Sequence, residues 1–130
     1  MQTAEDWLVF CAGEMEKAGV FFGHGTDNAE DEAAWMLLYV LDEPLDGSFQ
    51  QWDRNLTDEQ AAALKALLER RITERLPLAY LTGEARFCGL NFSVGPGALV
   101  PRSPLAELIR EQFSPWFDPG AGGRVLDMCT

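Results

Sequence analysis

The chain has 130 residues, 47% hydrophobic and 24% charged, which is enough apolar material for one modest core and too much for a disordered chain. Its net charge of −11 is unevenly placed: residues 1–53 hold twelve acids against one base, Lys17, whereas residues 54–130 hold nine of each. That balance argues against nucleic-acid binding and suits either plain solubility or a basic protein partner, and the longest apolar run, 33–41, is too short to cross a bilayer. With Glu5 and Asp6 standing where a basic leader would be, a cytoplasmic location is the default. Three scattered cysteines, Cys11, Cys88 and Cys129, and a single His24 lack ligand spacing, so neither a disulfide framework nor a metal site is expected.

Thr3 followed by Asp6 predicts a capped first helix carrying Trp7, Leu8, Phe10, Cys11 and Met15, stopped at Gly19. Residues 23–28, with two glycines and the capping side chains of Asp27 and Asn28, read as a structured turn into a second helix. Glu30, Asp31 and Glu32 suit the positive end of that helix, and its body, 33–41, is apolar on nearly every face, which predicts the most buried helix of the set. Pro44 and its polar neighbours break the pattern. Thr57 with Gln60 then forms a capping box for a third helix, with Ala61, Leu64, Leu67, Leu68 and Ile72 at three- and four-residue steps, ending near Arg75. Leu78 to Leu81 continue as an apolar connection against the bundle.

The period changes after residue 86. Leu90, Phe92 and Val94 alternate with Asn91 and Ser93, as on a half-buried strand over 87–94, with a turn at Gly95-Pro96-Gly97 and a partner strand at 98–100. Ser103-Pro104 opens a further helix carrying Leu105, Leu108, Ile109 and Phe113, and 118–123 is a glycine-rich link. Residues 124–130 read as the first parallel strand of a doubly wound α/β domain, with Asp127 at its carboxyl end where nucleotide-type cofactors are met. No glycine-rich turn or crossover helix follows, so the chain is expected to be the N-terminal piece of a longer enzyme.

The order helical bundle, Leu78-Ala79-Tyr80-Leu81-Thr82-Gly83, hairpin, Leu99-Val100-Pro101-Arg102, helix, then a Val-Leu-Asp strand resembles the glutamine N(5)-methyltransferases that modify release factors and ribosomal proteins. Two segments, 23–28 and Pro101-Arg102-Ser103-Pro104, together with Phe87-Cys88-Gly89 and Leu126 to Thr130, resemble the branch acting on large-subunit ribosomal protein L-three. The implied fold is α+β and mainly α: a helical substrate-recognition bundle over 1–83, a β-hairpin connector over 84–100, and over 101–130 the truncated start of a Rossmann-like class I methyltransferase domain. The implied activity is methyl transfer from S-adenosylmethionine to a glutamine side-chain amide. The family's Asn-Pro-Pro-Tyr segment and the Gly-Ser-Gly continuation of its cofactor loop are not among these residues, so the chain alone is expected to be inactive and to hold no cofactor.

By the same resemblance Asp127, Cys129 and Thr130 begin the cofactor motif, and Arg102 and Ser103 stand in the segment near the cofactor cleft. Arg102 is read either as a rim residue holding a carboxylate or a backbone carbonyl, or as a structural clamp. His24 has no partner for nucleophilic chemistry and is read as shaping a turn or touching substrate. Among the four tryptophans, Trp52 alone sits in a polar loop, beside Asp53 and Arg54, where an exposed ring would anchor a protein contact. The partner implied is a basic ribosomal protein, with no direct nucleic acid and no membrane. A free-standing acidic interaction module without activity is the alternative.

Overall fold

The computed structural model describes residues 2–23, 26–101, 105–124, 126 and 128. Helix α1, Ala4–Lys17, starts where Thr3 and Asp6 exchange hydrogen bonds: the Asp6 amide donates to Thr3 Oγ1 and the Thr3 amide to Asp6 Oδ2, each at 3.2 Å. Four-residue steps put Trp7, Cys11 and Met15 on its buried face. The loop just before Thr57 is stitched to this end of α1, with the Ala4 amide donating to the Arg54 carbonyl at 2.8 Å and the Leu56 amide to the Gln2 carbonyl at 3.0 Å.

Helix α2, Ala29–Leu41, is capped by Asn28, whose Oδ1 accepts from the Asp31 amide at 2.8 Å. Eight of its side chains are buried, from Ala29 to Leu41, as its sequence predicts for the most buried helix, and it packs against α1 and the helix that follows it. It ends on Asp42 in the left-handed conformation, φ 56°, with no base in its last turn. Helix α3, Asp58–Glu74, has the full capping box between Thr57 and Gln60 and buries Leu64, Leu67, Leu68 and Arg71. The segment read as an apolar connection instead forms one helical turn, α4, Leu78–Thr82. Leu78 and Ala79 are fully buried there, closing one end of the bundle.

The hairpin lies earlier than the sequence pattern suggests. Strand β1, Glu84–Phe87, pairs antiparallel with β2, Leu90–Ser93, in the register Glu84 to Ser93 and Phe87 to Leu90. Its two-residue turn is Cys88-Gly89, both at positive φ, 49° and 76°, the turn geometry that follows the twist of the two strands. Residues 98–100 are therefore not the partner strand, and the alternating residues of β2 do not face a core. Leu90 is 63% and Phe92 38% exposed: β1 buries Ala85 in the core, whereas every residue of β2 is exposed. Val100 is buried without belonging to a strand, and the Tyr80 hydroxyl donates to the Ala98 carbonyl beside it.

Helix α5 is short, Ala106–Arg110, and none of its residues is fully buried; the Ser103-Pro104 start read for it lies outside the described residues. Of the terminal strand, Val125, Asp127, Cys129 and Thr130 lie outside them too, and Leu126 and Met128 are exposed. The mainly helical α+β class is borne out: among the described residues there are three long helices, two short ones and a hairpin. No helix among the described residues is long and apolar enough to cross a membrane.

Candidate functional site

The residues picked out in the sequence are mostly not placed. His24, Arg102, Ser103, Asp127, Cys129 and Thr130 all lie outside the described residues. Trp52 is described and half-buried: its ring meets Phe49 edge to face, centroids 4.8 Å apart at 88°, and its carbonyl accepts from the Glu5 amide at 2.9 Å. Packing already explains part of its surface. The described residues form four clefts lined by residues between Phe10 and Asn91. They contain no group of three metal-ligating side chains.

What the fold does bring together is a cleft of about 420 Å³ at the carboxyl end of α2. Its walls come from three elements. Trp35, Leu38 and Tyr39 belong to α2, Asp42 to Leu45 to the turn that ends it, and Glu84, Arg86 and Asn91 to the hairpin. A smaller hollow of about 240 Å³, bounded by Thr26 and Asp31, shares Trp35, Leu45 and Arg86 with it, so the two form one groove along α2. The backbone reverses here because Asp42 accepts the left-handed conformation, which aspartate tolerates better than most residues, and Pro44 prevents the helix from resuming.

The groove is acidic. Glu43 is held by Arg54 at 3.5 Å, and Glu84 Oε2 accepts a hydrogen bond from the Asn91 side-chain Nδ2 at 3.1 Å. Arg86 lines both hollows and makes no ion pair within 4 Å among the described residues. On the far edge of the hairpin's reach, Asp46 is held below the usual carboxylate range, first by the Ser48 side chain and amide and last by the Arg86 charge. Sequence reading missed this site because it treated 42–47 only as a helix break. The available signal was an acidic pair immediately after a helix without a base in its last turn.

Residues 18–83 match the family described as PrmC N-terminal domain, a span from the end of α1 through α4 that contains the α2 wall of the groove. This chain belongs to that family. The chain is 44% identical over 130 residues to the ribosomal protein uL3 glutamine methyltransferase of Xylella fastidiosa, covering all of this chain and 42% of that protein. To the proteins of the same name from Bordetella pertussis and Neisseria meningitidis it is 43% and 38% identical, again over its whole length and over 44% and 43% of theirs. The chain thus spans less than half the length of the curated relatives it matches. These matches bear out the resemblance to glutamine methyltransferases read from Leu78 to Gly83 and its neighbours, uL3 being the large-subunit protein L-three.

Proposed function

We propose that this chain serves as the N-terminal, client-recognising part of an S-adenosylmethionine-dependent protein-glutamine N(5)-methyltransferase acting on ribosomal protein uL3 in the cytoplasm. The observation that carries the reading is the match along the entire chain, at 38–44% identity, to proteins named for that activity. The remaining length of those relatives is assigned the methyl donor and the chemistry, and this chain is assigned the client. An amide nitrogen is a poor nucleophile because its lone pair is delocalised into the carbonyl, so the reaction depends heavily on how the glutamine is presented. A recognition part that orients the client therefore contributes to rate as well as to selectivity.

Charge supports the same reading. The acids of residues 1–53 cover the bundle, and ribosomal proteins that contact RNA are basic, so long-range attraction favours encounter. The division proposed is a bundle over 1–83, a hairpin connector over 84–100 and the start of a methyltransferase domain over 101–130. Within it, His24, Trp52, Arg102 and Ser103 are assigned to client contact, and Asp127, Cys129 and Thr130 to the edge of a cofactor site completed elsewhere. A competition assay tests the proposal. Excess chain added to uL3 and the Xylella fastidiosa relative should lower methylation of uL3 by sequestering it, and undiminished methylation at saturating chain would contradict it.

A further inference from the structure

We propose that the groove at the end of α2 is a guanidinium site that receives an arginine side chain of a basic protein segment; this rests on the client-recognition reading above and specifies where on the bundle the client is held. The groove's shape comes first. It is a cleft of about 420 Å³ between a helix end and a hairpin, within the range of ligand-sized sites, with Trp35 and Tyr39 as apolar wall. Tyr39 is 42% exposed although its helix is otherwise the most buried in the bundle, so its ring is presented to an occupant.

Charge complementarity then selects the occupant. A helix carries about half a negative charge at its carboxyl end, where a lysine or arginine normally compensates. Helix α2 has three acids in its first turn and no base in its last, and the chain adds Asp42 and Glu43 at that very end. Glu84 adds a third carboxylate from the hairpin. Against these, Arg54 answers Glu43 alone, leaving Asp42, Glu84 and the helix end to the exposed Arg86, which forms no close ion pair. A flat, weakly hydrated guanidinium that stacks on an aromatic face while donating to carboxylates meets these demands better than an ammonium. Because the walls belong to α2 and to the hairpin, an occupant also bridges the two.

The test uses the chain and three short synthetic peptides identical except for one central residue: arginine, lysine or citrulline, the neutral counterpart of arginine. Titration followed by amide chemical shifts should move Asp42, Glu43, Leu45, Glu84 and Asn91 with the arginine peptide, less with lysine and not with citrulline. The double variant Asp42→Asn/Glu84→Gln, in which asparagine keeps the left-handed turn, should weaken arginine-peptide binding about fivefold or more, as loss of two partly exposed ion-pair partners does. The variant Glu16→Gln/Glu59→Gln, equal in charge change and outside the groove, should weaken it less than about twofold. Equal losses in both variants, shifts mapping elsewhere, or equal binding of citrulline would overturn the site. Purified uL3 separates the two ideas: if it binds the wild type and the groove variant alike, the groove is wrong and client recognition stands, whereas failure to bind the wild type removes client recognition itself.

Discussion

Arg71 of α3 donates through Nε to Oε1 of Glu32 in α2 at 3.2 Å, with both residues almost completely buried, and its Nη2 donates to the Phe21 carbonyl at 2.7 Å. One arginine therefore fastens the two central helices and the chain just after α1. Glu32 Oε2 is buried without a hydrogen-bond partner, so the pair is incompletely satisfied. Burying two charges costs several kcal/mol that mutual attraction only partly returns, and such a pair serves register more than stability.

Removing one partner should therefore hurt more than removing both. Arg71→Leu leaves the Glu32 carboxylate buried alone and is expected to cost about 3–5 kcal/mol, measured by urea unfolding. Arg71→Leu/Glu32→Leu should recover a large part of that loss, short of the contribution from the Phe21 carbonyl. Equal destabilisation by the single and double variants would show that the pair contributes through its attraction.

The same carboxyl gives the stability curve a sign. Burial raises Glu32 above the ordinary glutamate range, with Arg71 pulling against it. The folded chain then holds a proton that the unfolded chain has released, so this group lowers stability as pH rises from the ordinary glutamate range through the folded value. Asp6 works the other way. The Gln2 and Thr3 amides and the Thr3 hydroxyl hold its carboxyl low, so its contribution is present above the ordinary aspartate range and disappears as pH falls through the folded value. Unfolding measured across pH should show Glu32→Gln flattening the loss on the alkaline side of that window and Asp6→Asn flattening the acid side.

The hairpin turn offers a gain. Cys88 holds φ 49° without being glycine or asparagine, ahead of Gly89 at 76°. Cys88→Asn supplies the residue favoured at the first position of this turn and should raise stability by about 0.5–1 kcal/mol, whereas Gly89→Ala should lower it by at least as much. Urea midpoints of the two variants check this directly.

That turn also marks where the sequence was readable and where it was not. Thr3, Thr57 and Asn28 announced their helices because capping is local chemistry, and the unbroken apolar run of α2 announced a central helix for the same kind of reason. The hairpin was misplaced because Gly95-Pro96-Gly97 is the louder turn signal, while Cys88-Gly89 needs a cysteine to adopt the left-handed conformation. The alternation of Leu90 and Phe92 was real, yet alternation says only that one face is apolar and nothing about whether a neighbour covers it. The groove was invisible for a different cause: Asp42 and Glu84 are forty-two positions apart, and only the docking of the hairpin beside α2 makes them face one space.

Cysteine chemistry follows from burial. Cys11 sits in the α1 face of the core, and loss of hydration pushes its thiol up to about 12, with Glu14 adding to the rise. Cys88 is only partly buried in the hairpin turn. Iodoacetamide at neutral pH should modify Cys88 well before Cys11, and peptide mapping should find Cys11 modified only at the rate of unfolding. Rapid modification of Cys11 in folded protein would mean that α1 is not packed as described.

The central claim is that the acidic bundle binds uL3, and calorimetric titration of the chain with purified uL3 at about 50 mM and about 500 mM salt tests it most directly, since screening separates exposed-charge attraction from apolar contact. Saturable binding at low salt that weakens strongly at high salt is the predicted result; no binding at low salt, or binding indifferent to salt, would contradict it.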